Sequence, residues 1–266
     1  MGAVVLSVDG VSKTYVTGDG ARIEALDGVS LDVCEGEFVS VIGPSGCGKS
    51  TLFQIIGGLL GSDAGSVCVD GQRINGSHHD IGMVFQEDST FPWRSVLDNV
   101  AFPLELAGMP KSRRDETARR LIRLVGLDGF EGRFPDELSG GMRQRTAIAR
   151  TLAVEPRILL MDEPFASLDE QTRILLGDKI LQIWRQLKQT TLLITHNITE
   201  AVQLSDRVAV MTYRPGRIKR TIEIDLPRPR DSALIAGAEF GRYVGALWQD
   251  LREEASRGLA EADNAH

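Results

Sequence analysis

Residues 43–50 read GPSGCGKS, a glycine-punctuated run ending in Lys-Ser. It lies between the apolar stretch FVSVIG and a segment with Leu52, Ile55, Ile56 and Leu59 on one helical stripe. Strand, glycine-rich turn and helix in this order restrict the fold to α/β classes that bind phosphate. The glycines let the backbone curl into a nest of N–H groups, and the helix N-terminus adds positive potential. In that arrangement Lys49 reaches the β and γ phosphates of a nucleotide such as ATP and Ser50 offers a hydroxyl to Mg²⁺. Gly43, Pro44, Ser45, Gly46, Cys47, Gly48 and Thr51 complete the cradle. A glycine-rich turn without chemistry is the plainer alternative, and it weakens once a second nucleotide motif appears downstream. Cys47 reads as a filler of the loop, with thiol alkylation a further option.

That second motif is ILLMDE at residues 158–163, an apolar run whose end delivers two adjacent acids. Buried parallel strands present their carboxyl ends to the ligand crevice of an α/β sheet. Asp162 is therefore placed to hold Mg²⁺, and Glu163 to orient and polarise an attacking water. An acidic pair that only caps the next helix is the competing reading. Residues 138–145, LSGGMRQR, add a less common element, because Ser139, Gly140 and Gly141 open a helix with a hydroxyl and free N–H groups. Taken alone, the segment is a serine N-cap followed by flexible glycines. One nucleotide scarcely needs two anion-binding helix termini.

Composition removes other classes. A chain of 266 residues with a net charge of −7 has length enough for one α/β body and lacks the basic footprint expected of a nucleic-acid binder. Its three cysteines, Cys34, Cys47 and Cys68, form no CxxC pair, so neither a disulfide framework nor a thiolate metal site is expected, and the compartment is expected to be reducing. The start, MGAVVLSVDGVS, reads as a first strand and not as a signal peptide. No apolar run is long enough to cross a bilayer, so a membrane role must come through a partner. His78 and His79 read as a solvated turn without the spacing of a metal site.

Along the chain, strands are predicted at 4–8, 38–42, 66–69 and 81–85, with a helix at 49–60 between the second and third. The stretch 95–126 reads as helical, with Ala118, Leu121, Ile122 and Val125 on its buried face and a charge-laced outer face. From Ser139 the pattern alternates: helix 140–154, strand 158–161, helix 170–188, strand 191–195, helix 198–204 and strand 207–211. This alternation predicts a mostly parallel sheet covered on both faces. Asn197 with Glu200 predicts a capping box, and a strand at 218–224, the Pro-punctuated PRPRD and a terminal helix follow.

GPSGCGKS, LSGGMRQR, LLMDEP, SLDEQT and the His196 after TLLIT, in this order, resemble the ATP-binding subunits of ABC transporters over nearly the whole chain. The resemblance implies a P-loop NTPase core with a mostly parallel sheet, an N-terminal antiparallel β part and a helical insert at about 95–155. All of these would lie in a single domain, 1–256, followed by a polar tail, 257–266. It also implies two copies sandwiching two ATP molecules head to tail, with Ser139, Gly140 and Gly141 of one copy on the γ-phosphate held by the other. By the same matching Tyr15 stacks on adenine, Gln86 senses Mg²⁺ and the attacking water, Asp169 communicates across the dimer, and His196 contacts the γ-phosphate. Tyr15 as a strand-end aromatic, Gln86 as a polar strand terminus and His196 as a core histidine remain the plainer readings. Permease subunits, an extracytoplasmic solute-binding protein and a place on the cytoplasmic face of the membrane follow from the resemblance, as does the absence of nucleic acid.

A narrower resemblance, to importer subunits for nitrate, sulfonates and taurine, rests on FPWRSVLDNVAFPLELAG, FASLDEQTR, RPGRI and DLPRPRD. The chain departs from that subgroup at Phe91, where Leu is commoner, and at Ala166-Ser167, where Gly-Ala is commoner. Trp93 is a candidate anchor for the membrane partner, with a buried core tryptophan as the alternative. Two rival functions are a non-transport ABC ATPase acting on nucleic acid or ribosomes, and a P-loop kinase, which leaves LSGGMRQR unexplained.

Overall fold

The computed structural model describes residues 2–166, 168, 170–228, 230 and 232–264. They divide into two compact units, Met1–His78 with Lys188–His266, and His79–Leu187. The first opens with β1 (Val4–Val16), β2 (Arg22–Cys34), β3 (Phe38–Ile42), α1 (Lys49–Ile56), β4 (Ala64–Val69) and β5 (Gln72–Arg73). Four of these strands form the antiparallel sheet β2-β1-β4-β5. The ladder between β1 and β2 shifts register around Gly10 (φ 60°) and Gly28 (φ 61°), bulge positions where glycine takes the left-handed backbone without strain. Through its bulge β1 continues well beyond Val8, where the sequence pattern ends it, and β2 has no counterpart among the predicted strands.

Helix α1 stops at Ile56 and not at Leu60, which corrects the sequence expectation. Gly58 N donates to Ile55 O (3.1 Å) and Leu59 N to Gln54 O (2.8 Å), the bond pair of a Schellman stop, with Gly58 at φ 71°. Leu59 consequently leaves the apolar stripe and is exposed.

The second unit holds β6 (Ile81–Val84), α2 (Val96–Leu106), α3 (Lys111–Leu124), a 3₁₀ turn (Pro135–Glu137), α4 (Gly140–Leu152), β7 (Ile158–Asp162) and α5 (Glu170–Leu187). Strands β6 and β7 pair in parallel. Ser95 caps α2 by accepting from Asp98 N at 3.1 Å. Ala118, Leu121, Ile122 and Val125 are buried, as their spacing predicts.

The chain returns to the first unit with β8 (Thr190–Thr195), α6 (Ile198–Leu204), β9 (Arg207–Met211), β10 (Ile218–Glu223), α7 (Ser232–Ile235) and α8 (Ala238–Asn264). Strand β3 lies between β8 and β9, parallel to both, and β10 runs antiparallel to β9. Every residue of β3 and β8 is buried, the pattern of strands covered on both faces. Ile42, Val208 and Val210 pack with Ala201 and Val202 of α6 and with Phe240 and Leu247 of α8 in one apolar cluster. Helix α8 runs past residue 256, where the sequence reading ends the domain: Arg257 bonds Glu254 at 3.3 Å, and Gly258 lies against the Tyr213 ring.

The basic residues of PRPRD hold this unit together. Arg228 pairs with Asp206 at 2.6 Å. Arg230 is only 2 % exposed and donates to four main-chain carbonyls: Leu226 O (3.1 Å), Val202 O (3.3 Å), Ile224 O (2.6 Å) and Ser205 O. Burial, with Arg228 close by, lowers its pKa to about 10. Removing the guanidinium would leave those carbonyls buried without a donor. Arg230→Ala is expected to lower unfolding stability by about 2–3 kcal/mol, measured by urea denaturation; a loss within about 0.5 kcal/mol, the range of ordinary surface substitutions, would show that the staple contributes little.

Candidate functional site

In the first unit the phosphate-binding loop runs from the end of β3 into α1. Gly48 is the N-cap residue at φ 100°, and a Cβ there would lie 2.6 Å from Ala25 O, so the loop can close only on glycine. Cys47 is fully buried, with its sulfur against Gly43, which fits a filler of the loop. Lys49 is buried too, and its Nζ donates to Gly43 O (2.9 Å) and Pro44 O (3.0 Å), which holds the ammonium across the mouth of the loop. Ser45, Gly46 and Ser50 are exposed, and Thr51 is half-buried. The Tyr15 hydroxyl lies 3.3 Å from Thr51 Oγ1, so the tip of β1 is tied to the start of α1 with the Tyr15 ring still exposed.

The register of the parallel strands brings His196 to the same end of the sheet as this loop. Ile42 of β3 is the Cα partner of Thr195 of β8, so Gly43 and His196 are the next residues of neighbouring strands. His196 is exposed, in a short turn fixed on both sides. Asn197 N donates to Thr195 Oγ1 (3.0 Å), Thr195 Oγ1 donates to Glu200 Oε2 (2.6 Å), and Asn197 Oδ1 accepts from Glu200 N (3.1 Å). The Asn197 side-chain bond of the predicted capping box is present, and Thr195 Oγ1 bridges Asn197 N and the Glu200 carboxylate.

In the second unit Met161 pairs with Val84, which puts Asp162 and Glu163 at the end of β7 and Gln86 just beyond β6, on the same edge of the strand pair. Asp162 is buried and Gln86 exposed. Glu163 has φ 43°, a left-handed backbone that a non-glycine residue adopts at a cost and that clusters at functional sites. Ser139 is exposed and caps α4, accepting from Met142 N at 3.3 Å. Gly141 is buried, and a Cβ on it would come within 3.3 Å of Thr172. Asp169 lies outside the described residues.

A set of ties that no sequence motif marks joins α4 to the Gln86 segment. Arg143 Nε donates to Asp88 Oδ2 (3.0 Å), Gln144 Nε2 to Phe85 O (3.3 Å) and Arg150 NH1 to Ser89 O (2.9 Å). Their spacing on α4 was the only signal available, and it reads equally as a solvated face. Burial pushes the Asp88 carboxyl up, but hydrogen bonds from Thr90 and Arg143 outweigh it and hold the pKa below the ordinary value. The tie to Arg143 is thus complete above the usual carboxylate range and is lost as pH falls through the lowered pKa. Gln86, Glu87, Asp88, Ser89, Arg143 and Ala166 line an open hollow of about 690 Å³. Nearby, Trp93 is 72 % exposed and rests on Phe91 at 5.6 Å between ring centroids, which decides against the buried-core reading of this tryptophan. Phe91 in turn packs edge-on against Phe102 and lies under the Arg150 guanidinium.

A glycine-closed loop with a buried lysine, leading into a helix, defines a P-loop nucleoside triphosphatase. The profile of the ABC transporter family matches residues 26–166, and the chain belongs to that family as an ATP-binding protein and ATPase. It is 50 % identical to an uncharacterised ABC transporter ATP-binding protein of Methanocaldococcus jannaschii, over 96 % of this chain and 94 % of that one. It is 45 % identical to an aliphatic sulfonates import ATP-binding protein of Bacillus cereus (91 % and 94 % covered) and 45 % identical to a nitrate import ATP-binding protein of Synechocystis (96 % and 99 %). Among solved structures it is similar to a dimeric ATP-binding cassette in a post-hydrolysis state bound to ADP and Pi, with a TM-score of 0.73 and 33 % identity over 84 % of this chain and 100 % of that one. The expected architecture is present: an N-terminal antiparallel sheet, parallel strands and intervening helices.

Proposed function

We propose that two copies of this chain clasp two ATP molecules head to tail and use their hydrolysis to drive a membrane permease that imports a small oxyanion-bearing solute, such as nitrate, a sulfonate or taurine. The observation that carries the reading is the exposed Ser139 hydroxyl at the head of α4, a second helix N-terminus of the kind that suits an anion, in addition to that of α1. In this reading Lys49 and the loop N–H groups hold the phosphates, and Glu163 orients water for in-line attack. His196 contacts the γ-phosphate, Tyr15 stacks on adenine, and Ser139, Gly140 and Gly141 act on the ATP of the other copy. Asp169 is assigned to communication between the copies. Catalysis is then chiefly positioning and electrostatics.

The donor set suits Mg²⁺: the Ser50 hydroxyl, the Asp162 carboxylate and the Gln86 amide carbonyl are hard oxygen ligands of the kind that ion prefers. When bound, the ion would neutralise charge between the β and γ phosphates. Exposed Trp93, which follows the Gln86 segment in the chain, is the proposed anchor for a permease segment. Among the described residues no helix is long and apolar enough to cross a membrane, and the proposed location is peripheral, on the cytoplasmic face. The relatives named for sulfonate and for nitrate import are equally identical to the chain, which supports the solute class without choosing within it.

The test is reconstitution of the chain in vesicles with the permease and the solute-binding protein that co-purify with it. Hydrolysis is expected to need Mg²⁺ and to rise when nitrate, an alkanesulfonate or taurine is supplied with the binding protein. Stimulation by nucleic acid or ribosomes instead, with no response to any solute, would contradict the reading.

A further inference from the structure

The turn between β9 and β10 grips the phosphate-binding loop from outside. Arg214 Nε donates to Gly46 O at 2.9 Å, and its guanidinium covers the glycine so closely that a Cβ on Gly46 would lie 3.2 Å from NH2. Gly216 is packed under the same loop: a Cβ there would meet Cys47 O at 2.2 Å, and its own N–H donates to Ala25 O at 3.0 Å. The turn is itself braced. Thr212 Oγ1 donates to Pro215 O (2.7 Å) and accepts from Arg217 N (3.0 Å). Behind it, Tyr213 N donates to Glu254 Oε2 (3.0 Å); Glu254 is 1 % exposed and pairs with Lys219 at 2.9 Å. A continuous run of bonded groups therefore links α8, through Tyr213 and Arg214, to Gly46.

We propose that Arg214 is a positioning residue for the phosphate-binding loop: held on a turn that α8 anchors, it fixes the Gly46 peptide and so pre-forms the cradle before nucleotide arrives. An ordered loop loses less conformational freedom when it binds, so the effect falls on affinity and not on the chemical step. Arg214 touches neither the attacking water nor the leaving group in the function proposed above, on which this inference rests. A guanidinium placed for a main-chain carbonyl has a donor role that glutamine reproduces in part and alanine removes.

The experiment uses the full chain. Arg214→Ala is expected to raise the KM for MgATP and the Kd for a fluorescent ATP analogue about fivefold, the size of one ordinary hydrogen bond, with kcat within about twofold of wild type because the chemical step is untouched. Arg214→Lys and Arg214→Gln should recover part of the loss. Without nucleotide, hydrogen exchange at residues 45–48 should speed up in Arg214→Ala while exchange in α8 stays unchanged. Unaltered KM and unaltered loop exchange in folded Arg214→Ala would overturn the inference, as would a fall in kcat at constant KM. If Arg214→Ala does not fold, Arg214→Gln decides by the same two readouts. Wild-type chain that neither binds nor hydrolyses ATP would instead count against the underlying function, so the two failures are distinguishable.

Discussion

Glu163→Gln is expected to bind ATP as tightly as the wild type and to hydrolyse it about 10²–10⁴ times more slowly, the range a positioned general base contributes. The amide keeps the size and the acceptor oxygen of the carboxylate but cannot take up a proton or polarise water to the same degree. The site itself argues for this role over that of a helix-capping acid. Asp162 completes a fully buried strand, and Glu163 follows it in a left-handed backbone, φ 43°. Asp70, directly after β4, shows that a plain turn residue can take the same backbone, φ 48°; at Glu163 it coincides with the adjacent acid pair, and strained backbone recurs where a side chain must be aimed. Steady-state phosphate release together with nucleotide-binding titrations measures both halves of the prediction. Hydrolysis within a few-fold of wild type would assign the base elsewhere.

Ser139→Arg is expected to leave ATP binding intact and to cut hydrolysis by about 10²-fold or more, comparable to loss of a donor aimed at transition-state charge. Two roles for Ser139 are in competition. As an N-cap its hydroxyl accepts from Met142 N, and losing it costs about 1 kcal/mol of stability, with no direct effect on turnover. As a group acting on the partner copy's nucleotide, its replacement by a bulky cation blocks closure of the dimer. Ser139→Ala separates the two, because it removes the cap without the bulk. The dimer account predicts a moderate loss of rate for alanine and a near-complete loss for arginine. The cap account predicts similar small drops in melting temperature and normal rates for both. Turnover against ATP concentration, alongside thermal melts, distinguishes them.

Parts of this fold were legible in the sequence because their periodicity is unbroken. Strands β3, β8 and β9 each carry a mostly apolar or β-branched run, and α3 shows its buried stripe at Ala118, Leu121 and Ile122. Strand β2 was hidden by its bulge. Its inward residues are Ala25 and Leu26, then Val29, Leu31 and Val33, so the two-residue alternation changes phase near Gly28 and no single pattern spans it. Asp9-Gly10 masked the length of β1 in the same way, because the pair has the composition of a turn and forms a bulge within a strand. The end of α1 was misplaced because Leu59 fits the helical stripe, while the stop is set by main-chain bonds around Gly58.

The candidate site divides along similar lines. Motif spacing alone indicated the loop at 43–51 and the acids at 162–163, and the strand register then brought His196 beside Gly43 and Gln86 beside Asp162. The contacts that hold these pieces were not legible. Arg143 to Asp88 and Arg214 to Gly46 join residues 55 and 168 positions apart, and nothing local marks an arginine on a helix or in a turn as one that reaches a distant loop. The narrower features of the importer subgroup have physical roles here: RPGRI braces the phosphate-binding loop, and Arg230 of DLPRPRD is a buried staple.

The most direct measurement is the molar mass of Glu163→Gln in solution, by light scattering, with and without MgATP. The account predicts a shift from one copy to two when ATP is added, reversal when ATP is removed, and no shift in the Glu163→Gln, Ser139→Arg double variant. A mass that stays at one copy with ATP bound, while wild-type chain at the same dilution hydrolyses ATP at its full rate, would contradict it.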